Sequence, residues 1–420
     1  MHEIRSNARV LGAALTGTTV EFYDFYVYAI AAALVFGPLF FPAESPQAQA
    51  MFSFMSFGLA FFARPLGAIA FGHFGDRVGR KSTLVASLLL MGGSTLLIAF
   101  LPTYAQIGWV APLLLCILRF GQGLGLGGEW GGAALLAVEN APPGWEARFG
   151  AAPQFGAPLG FLAANGLFLL LGLGLSEDDF LAWGWRIPFL ASALLVAVGL
   201  WVRLRIAETP AFREAREHAP PPAVPFGALL RQHTGAVLAG SAAVIACFAI
   251  FYLSTAYALS FATTERGFAR QDFQLLLLGA ILFLALGIGI AALVSDRFGA
   301  RRVMAWGAAA TVVLGLGFGP ILTHAALPAI LVLLSIALLT MGFVYGPLGG
   351  FLSALYPVPV RYTGVSVAFT LGGIVGGALT PIAAQAMGAA GQGDRVGWLL
   401  CAAGVLTLVG VGFAKPSAAG

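Results

Sequence analysis

The chain has 420 residues, of which 59% are hydrophobic and only 10% are charged. With a mean hydropathy of +0.90, this composition excludes a water-soluble globular protein, which carries about 25% charged residues. The formal net charge of +4 does not indicate nucleic-acid binding, because no basic soluble face is available for such an interface. The composition instead predicts a protein embedded in a lipid bilayer.

Apolar segments of about 20 residues, the length of a bilayer-spanning helix, follow one another along the chain. We interpret twelve of them as transmembrane helices of an all-α polytopic membrane protein. They cover residues 10–37, 51–73, 82–101, 109–138, 149–174, 183–204, 234–262, 273–294, 303–323, 326–354, 361–388 and 395–414.

The lysines and arginines predict the orientation of these helices. Of the 22 such residues, Arg64 and Arg119 lie inside predicted helices. If the N-terminus is inside, sixteen of the other twenty fall on the inner side and four on the outer side. Because positive charge collects on the cytoplasmic side, we expect both termini to be cytoplasmic.

One short phrase occurs twice in the chain. The segment from Gly72 to Lys81, GHFGDRVGRK, returns as DRFGARR from Asp296, 220 residues after Asp76. A repeat that spans half of a membrane chain is typical of transporters built from two related halves. We therefore predict a six-helix bundle at 1–204, a cytoplasmic linker rich in proline and charge at 205–233, and a second six-helix bundle at 234–420.

Five charged residues fall inside the predicted helices of the first half. They are Glu21, Asp24, Arg64, Arg119 and Glu129. A charge at mid-bilayer costs at least about 2.5–3.5 kcal/mol, so each needs a partner or a water-filled cavity. The rise of the helix places Glu21, Arg64 and Glu129 at one level and the remaining two at a second level, so the members of each set could meet.

Two interpretations of these charges stay open. In the first, they form buried ion pairs that hold the helices together. In the second, they couple proton movement to a conformational change, because a carboxylate ionises readily beside an arginine and takes up a proton when separated from it in a low dielectric. The candidate proton-coupling residues are Asp24, Arg119, Glu129 and Glu21.

Candidate substrate-binding residues lie on the same helix faces and in the second half. Tyr28 shares a helix face with Glu21 and Asp24, and Gln122 lies on the face of Arg119. The second half has no charge clearly at mid-membrane, so we expect it to supply apolar and neutral hydrogen-bonding walls. The candidates are Arg64, Arg119, Tyr28, Gln122, Trp130, Tyr252 and Tyr345.

The two copies of the repeated loop indicate a pair of gates on the inner side. A carboxylate is favoured near the positive N-terminus of a helix. We expect Asp76 to contact the start of helix 11 near Arg361, and Asp296 to contact the start of helix 5 near Arg148. Glu139, at the end of helix 4, would accept Arg77 or Arg80. The alternative is that these charges only fix the topology.

Other chemistry is not indicated by the sequence. Cys116, Cys247 and Cys401 are far apart and lack neighbouring histidines, which favours packing over a disulfide or a metal site. The glycines of helices 4 and 11 have GxxxG spacing, which allows close helix contact, and no Walker lysine follows them. We predict no enzyme activity, no catalytic or metal site and no cofactor.

Several phrases resemble a known family. The repeated loop and the phrase RFGQG at 119–123 resemble the major facilitator superfamily. Further phrases are similar to its metabolite:proton symporter family, which includes carriers of proline/betaine, dicarboxylates, citrate and shikimate. They are VEFYDF at 20–25, ARPLG at 63–67, GGEWGG at 127–132 and ETPAF at 208–212. The family usually has Trp at the position of Phe22.

This resemblance implies twelve helices around a central cavity, proton-driven uptake, a gating role for Asp76 and Arg77, and a proton-coupling role for Arg119. The resulting hypothesis is a proton symporter for a small organic acid or zwitterion in a bacterial inner membrane. It would work by alternating access, with the proton gradient as its driving force. An exchanger or uniporter on the same fold is the alternative. We expect a monomer whose partners are the substrate, protons and the bilayer, with no nucleic acid.

Overall fold

The computed structural model describes residues 2–78, 80–142, 144–205 and 225–417, without the side chains at 2–10, 13, 72–84, 202–205, 225, 228, 358 and 359. Throughout these ranges the regular structure is helical and no strand occurs. An apolar chain in a bilayer must satisfy every backbone N–H and C=O internally, and a helix does so within one segment.

Twelve long helices, α1 to α12, follow one another in the described ranges. They are α1 (His2–Leu34), α2 (Pro46–Val78), α3 (Arg80–Ile98), α4 (Val110–Leu126 and Glu129–Glu139), α5 (Glu146–Ala151 and Gly156–Gly174, joined by the 3-10 turn Pro153–Phe155), α6 (Ile187–Arg205), α7 (Thr234–Tyr252, the π-helical turn Leu253–Tyr257, and Ala258–Thr264), α8 (Arg270–Phe298), α9 (Ala300–His324), α10 (Leu327–Tyr345 and Leu348–Ser353), α11 (Val358–Gly373, the π-helical turn Ile374–Leu379, and Thr380–Ala389) and α12 (Gly397–Phe413).

Shorter helices connect them at Phe36–Phe40, Tyr104–Ile107, Glu177–Ala182 and Pro225–Gln232, with 3-10 turns at Gly184–Arg186 and Gly393–Arg395. Among the described residues, ten spans are long and apolar enough to cross a membrane. The other two long helices are α1, which carries Glu21 and Asp24, and α3, whose apolar part is Val85–Ile98. The predicted all-α polytopic fold is confirmed, and its twelve helices agree with the prediction.

The packing of the first six helices recurs in the last six. Helix α1 packs on α5 and α6, as α7 packs on α11 and α12. Helix α4 packs on α2 and α3, as α10 packs on α8 and α9. This recurrence follows the sequence repeat. The division at 1–204 and 234–420 stays a prediction, and most of the predicted linker, 206–224, lies outside the described residues.

Glycines allow the closest of these helix contacts. A Cβ at Gly127 of α4 would overlap the backbone of α2 at Arg64, and one at Gly376 of α11 would overlap α7 at Ile245. The same holds where Gly342 of α10 meets α8. Small residues at a crossing let two backbones approach in a membrane, so the GxxxG spacings of helices 4 and 11 have a direct packing reason.

Two of the four arginines that the sequence predicts on the outer side hold equivalent helix ends. Nη1 of Arg186 donates to the carbonyl oxygens of residues 99 and 101, just after α3, at 2.8 and 2.7 Å. Arg266 donates to the carbonyl oxygens of residues 322 and 325, at the end of α9, at 2.8 and 3.0 Å. The last carbonyls of a helix lack intrahelical partners, and a cation there is favourable. These arginines therefore stabilise matching positions in the two halves.

The second copy of the repeated loop makes a sharp turn between α8 and α9. Gly299 separates the two helices and has a φ of 87°, a backbone conformation that glycine adopts without steric cost. The turn leaves Asp296 in the last turn of α8, facing the start of α5. This is the end of the molecule that we call the inner end.

Candidate functional site

The five charged residues that the sequence places inside the helices of the first half are all buried. Asp24 and Arg119 are 0% exposed, Glu129 3%, and Glu21 and Arg64 5%. None of these side chains projects outward from the helices. Their burial meets the requirement that an intramembrane charge be enclosed by protein, while their roles stay predictions.

Arg119 is held by neutral groups and aromatic rings. It donates from Nη1 to Oε1 of Gln122 at 2.8 Å and from Nε to the carbonyl oxygen of Phe57 at 3.3 Å. Its guanidinium carbon lies 4.1 Å from the ring centre of Phe25 and 4.0 Å from that of Tyr28. In the described part of the chain, no ion pair includes Arg119.

Asp24 lies beside a chain of polar side chains that ends at Arg119. Ser192 of α6 donates to Oδ1 of Asp24 at 2.5 Å, and the Thr95 hydroxyl of α3 lies beside the same carboxyl group. Oδ2 has no hydrogen bond of normal geometry. Gln122 donates to Thr95 at 2.6 Å and accepts from Arg119. The Thr95 hydroxyl donates to the carbonyl oxygen of Met91 at 3.0 Å. Asp24 and Arg119, which the sequence suggested could meet, are therefore separated by the polar chain Thr95–Gln122–Arg119, because Gln122 lies one helical turn from Arg119 and takes its Nη1.

Glu129 and Trp130 lie at the start of the second segment of α4. Glu129 accepts a hydrogen bond from Ser87 of α3 at 2.6 Å and is close enough to Asp24 to act on it electrostatically. Trp130 donates from its indole nitrogen to Gln154 at 3.1 Å. Glu129 therefore lies within electrostatic range of Asp24, while Trp130 contacts the 3-10 turn of α5.

Arg64 occupies a different environment from Arg119. Its guanidinium carbon lies 4.3 Å from the ring centre of Phe25 and 4.6 Å from that of Phe61. Its Nε has no hydrogen-bond partner. The polar groups that act on it electrostatically are Tyr252, Glu21, Tyr26 and Tyr345.

Aromatic rings join the two groups of helices around a small central cavity. Tyr26 of α1 stacks on Phe251 of α7 with ring centres 4.7 Å apart, and Trp130 stacks on Phe369 of α11 at 3.7 Å. The cavity measures about 10 Å³, room for about one water molecule. It is lined by Phe22, Tyr26, Cys247, Phe248, Phe251, Tyr252, Met341, Tyr345 and Phe369.

The structure brings only some of the predicted substrate-binding residues to this cavity. Tyr252 and Tyr345 line it, and Trp130 stacks on a lining residue. Tyr28 instead bonds to Ser56 at 2.8 Å, and Gln122 belongs to the polar chain. The sequence interpretation missed Phe248 and Phe251 of α7, because every residue of that helix from 243 to 262 is buried and no face stands out.

The inner end is closed by an ion pair between the halves. Nε of Arg148, in the first turns of α5, lies 2.5 Å from Oδ2 of Asp296, the two residues that the sequence placed together. Arg361 donates to the carbonyl oxygen of Tyr356 at 3.1 Å, and Glu139 is exposed. The side chains of Asp76, Arg77 and Arg80 lie outside the described residues, so the contacts expected of them stay predictions.

The outer end is closed by contacts that sequence reasoning missed. Asn165 of α5 donates to the backbone carbonyl of Gln274 in α8 at 2.8 Å, and the Gln274 amide donates to Oδ1 of Asn165 at 3.3 Å. Arg270 pairs with Glu177 at 3.0 Å and lies 4.0 Å from the ring centre of Phe180. Helices α5 and α8 therefore hold the halves together at both ends.

Comparison with known proteins identifies the family. The family model described as Sugar (and other) transporter matches residues 10–219. An inner membrane metabolite transport protein of Escherichia coli (strain K12), YhjE, is 45% identical over 412 residues, which cover 97% of this chain and 93% of the relative. The chain belongs to the sugar (and other) transporter family of the major facilitator superfamily.

Two further comparisons extend this assignment. The shikimate transporter of Escherichia coli (strain K12) is 38% identical over 394 residues, covering 91% of this chain and 88% of the relative. The crystal structure of a D-xylose-proton symporter has a TM-score of 0.75 at 18% identity and covers 98% of this chain and 99% of that chain, which shows the same fold. This major facilitator protein is a multi-pass membrane transporter of metabolites and not an enzyme.

Proposed function

We propose that this transporter is a proton-coupled symporter that carries a small organic acid or zwitterion across a bacterial inner membrane. The observation that carries the proposal is the buried polar chain Thr95–Gln122–Arg119 beside the carboxyl group of Asp24. The chain lies between a carboxyl group and a guanidinium, and neither of these charged side chains reaches solvent. A protonatable group linked in this way to several helices is suited to convert proton binding into helix movement.

In the proposed cycle, Asp24 alternately holds and releases a proton. A change in its charge alters its hydrogen bond with Ser192 of α6 and its contact with Thr95 of α3. A shift of Thr95 would alter the hydrogen bond that it accepts from Gln122. The hydrogen bond between Gln122 and the guanidinium of Arg119 would change with it. Proton binding at one carboxyl group would therefore shift contacts on α1, α3, α4 and α6 together.

Alternating access requires the two ends of the molecule to open in turn. Both are closed in this structure, by Arg148–Asp296 at the inner end and by Asn165–Gln274 and Arg270–Glu177 at the outer end. The cavity between them is too small for a metabolite. We propose that 1–204 and 234–420 move as two bundles of a monomer whose termini are cytoplasmic, driven by the proton gradient without a cofactor.

Uptake into proteoliposomes tests the proposal. A panel of organic acids and betaines is presented with and without an inward proton gradient. We expect the gradient to drive accumulation of a substrate above equilibrium, and Asp24→Asn and Arg119→Gln to lose that accumulation. Asp272→Asn, at the outer start of α8, is the control. Uptake that ignores the gradient would favour an exchanger or uniporter, and full accumulation by both variants would refute the assigned roles.

A further inference from the structure

Four cations at the inner end of the second half belong to none of the ion pairs in the described ranges. They are Arg297 in the last turn of α8, Arg301 and Arg302 in the first turn of α9, and Lys415 just after α12. All four residues are exposed, and we call them the basic patch. The acid next to them in the chain, Asp296, is paired with Arg148 of the other half. The basic patch is therefore available to an anionic partner.

Two residues of the basic patch lie where α8 meets α9. The guanidinium carbon of Arg297 is 5.4 Å from the ring centre of Phe298. That ring centre is 5.7 Å from the ring centre of Trp306 in α9. Arg302 lies one helical turn before Trp306, on the same face of α9. The two aromatic rings therefore bring Arg297 and Arg302 to the same side of α9.

The other two residues of the basic patch lie where α9 meets α12. Nη2 of Arg301 donates to the carbonyl oxygen of Gly412, in the last turn of α12. Lys415 follows Gly412 by three residues. Because α9 packs on both α8 and α12, the basic patch consists of two pairs of cations on two sides of one helix.

Each pair of cations lies at the end of exposed apolar stripes. Exposed residues recur every three or four positions along α8 from Leu282 to Arg297, along α9 from Arg302 to Leu316, and along α12 from Trp398 to Phe413. An apolar helix face that no other helix covers meets acyl chains in a bilayer. Phe298 and Trp306 are 41% and 48% exposed, and such aromatic residues collect at the level of the headgroups. The basic patch therefore lies at headgroup level, directly beyond a surface for acyl chains.

We propose that the basic patch binds the headgroup of an anionic phospholipid that carries two phosphates, of the cardiolipin type. One phosphate accepts hydrogen bonds from Arg297 and Arg302, and the other accepts them from Arg301 and Lys415. The bridge between the phosphates crosses the start of α9, and the acyl chains lie along the stripes of α8, α9 and α12. The bound lipid thereby joins the inner ends of three helices of the second half.

The charges and the surface favour this lipid over other ligands. A lipid with one phosphate engages only one pair of cations, whereas the linked second phosphate binds at a high effective concentration. A zwitterionic lipid brings an ammonium group close to the guanidinium groups, which offsets the attraction of its phosphate. A free phosphate ion gains nothing from the apolar stripes. Only a lipid with two phosphates uses both pairs and the surface beside them.

Titration of the delipidated transporter in detergent, followed by native mass spectrometry, tests the proposal. The probes are cardiolipin, phosphatidylglycerol at the same phosphate concentration, and phosphatidylethanolamine. We expect cardiolipin to bind at least about fivefold more tightly than phosphatidylglycerol, and phosphatidylethanolamine to bind most weakly. Equal affinity for the two anionic lipids would overturn the proposal. Displacement of cardiolipin by excess inorganic phosphate at constant ionic strength would overturn it as well, since the site would then be one for a free anion.

Variants of one cation from each pair test the assigned contacts. Arg302→Gln and Lys415→Gln should each weaken cardiolipin binding about fivefold, because a cation near anionic headgroups contributes about 1 kcal/mol. The double variant should weaken binding by roughly 25-fold. Arg231→Gln is the control, since Arg231 is also exposed and lies in the short helix before α7, which packs on α11. If the double variant binds cardiolipin as tightly as Arg231→Gln does, the proposal is wrong and the four cations only fix the orientation of their helices.

Tryptophan fluorescence tests where the lipid lies. Cardiolipin with brominated acyl chains, added at one molecule per transporter, quenches tryptophan residues that its chains contact. We expect Trp306→Phe to lose part of the quenching that the wild type shows. Trp109→Phe, which removes a 69% exposed tryptophan at the start of α4, should retain it. Equal quenching in the two variants would contradict the assigned position. These measurements use neither substrate nor a proton gradient, so their outcome is independent of the proposed symport function.

Discussion

Neutralising Asp296 should weaken closure of the inner end. The Arg148–Asp296 pair has an N–O distance of 2.5 Å, with side chains 37% and 7% exposed. Exposed pairs contribute about 0.2–1 kcal/mol, and the burial of Asp296 places this pair near the upper limit. A loss of about 1 kcal/mol corresponds to about a fivefold change in the ratio of closed to open inner ends. Asp296→Asn keeps the size of the side chain, so the change reports the charge.

The native Cys247 is a suitable reporter for this change, because it lines the cavity and is 1% exposed. With Cys116 and Cys401 replaced by serine, labelling by a membrane-impermeant maleimide is measured in inside-out and right-side-out vesicles. We expect Asp296→Asn to raise labelling from the inner side about fivefold and not from the outer side. Arg148→Gln should have the same effect, and the double variant should add little to it.

Asp272→Asn is the matched control, since it removes a carboxylate from the opposite end of the same helix. It should leave labelling from the inner side at the wild-type rate. Inner-side labelling that is unchanged in Asp296→Asn and Arg148→Gln would refute the gating role of the ion pair. The charges would then only fix the topology, which is the alternative that the sequence left open.

Two other predictions concern the outer end and the helix packing. Asn165→Ala removes both hydrogen bonds with Gln274 and should raise labelling of Cys247 from the outer side several-fold; a rise confined to the inner side would contradict the outer contact. Gly342→Ala places a Cβ against the backbone of Gly287 and should destabilise the fold by about 1–3 kcal/mol, seen as a lower thermal unfolding midpoint in detergent. Gly279→Ala, whose Cβ would lie 3.8 Å from the Leu331 side chain, is the control, and equal midpoints for the two variants would contradict the packing argument.

The sequence was sufficient to predict the burial of the charged residues but not their partners. Glu21, Asp24, Arg64, Arg119 and Glu129 had to be enclosed, because exposure of a charge to lipid costs several kcal/mol. The partners of Asp24 are hydroxyl side chains of α3 and α6, residue types that are common in apolar helices and carry no distinctive spacing. Which side chain bonds to which depends on how the helices are rotated against one another, and helical periodicity alone does not determine this.

The contacts at the inner and outer ends of the molecule could also be predicted from the sequence only in part. Asp296 and Arg148 were placed together because the loop repeat and helix termini gave each a position and a complementary charge. Asn165 and Gln274 are uncharged, 109 residues apart, and belong to no repeated phrase. Neutral amides on separate helices give no signal in a single sequence, so this contact emerges only from the packing of α5 on α8.

In the proposed symport cycle, Asp24 carries the proton that accompanies the substrate. The most direct test is the pH of a weakly buffered external medium when substrate is added to de-energised vesicles containing the transporter. We expect transient alkalinisation with the wild type, and none with Asp24→Asn although this variant still exchanges labelled substrate. Alkalinisation of equal size with Asp24→Asn, or transport by the wild type with no proton movement, would contradict the account.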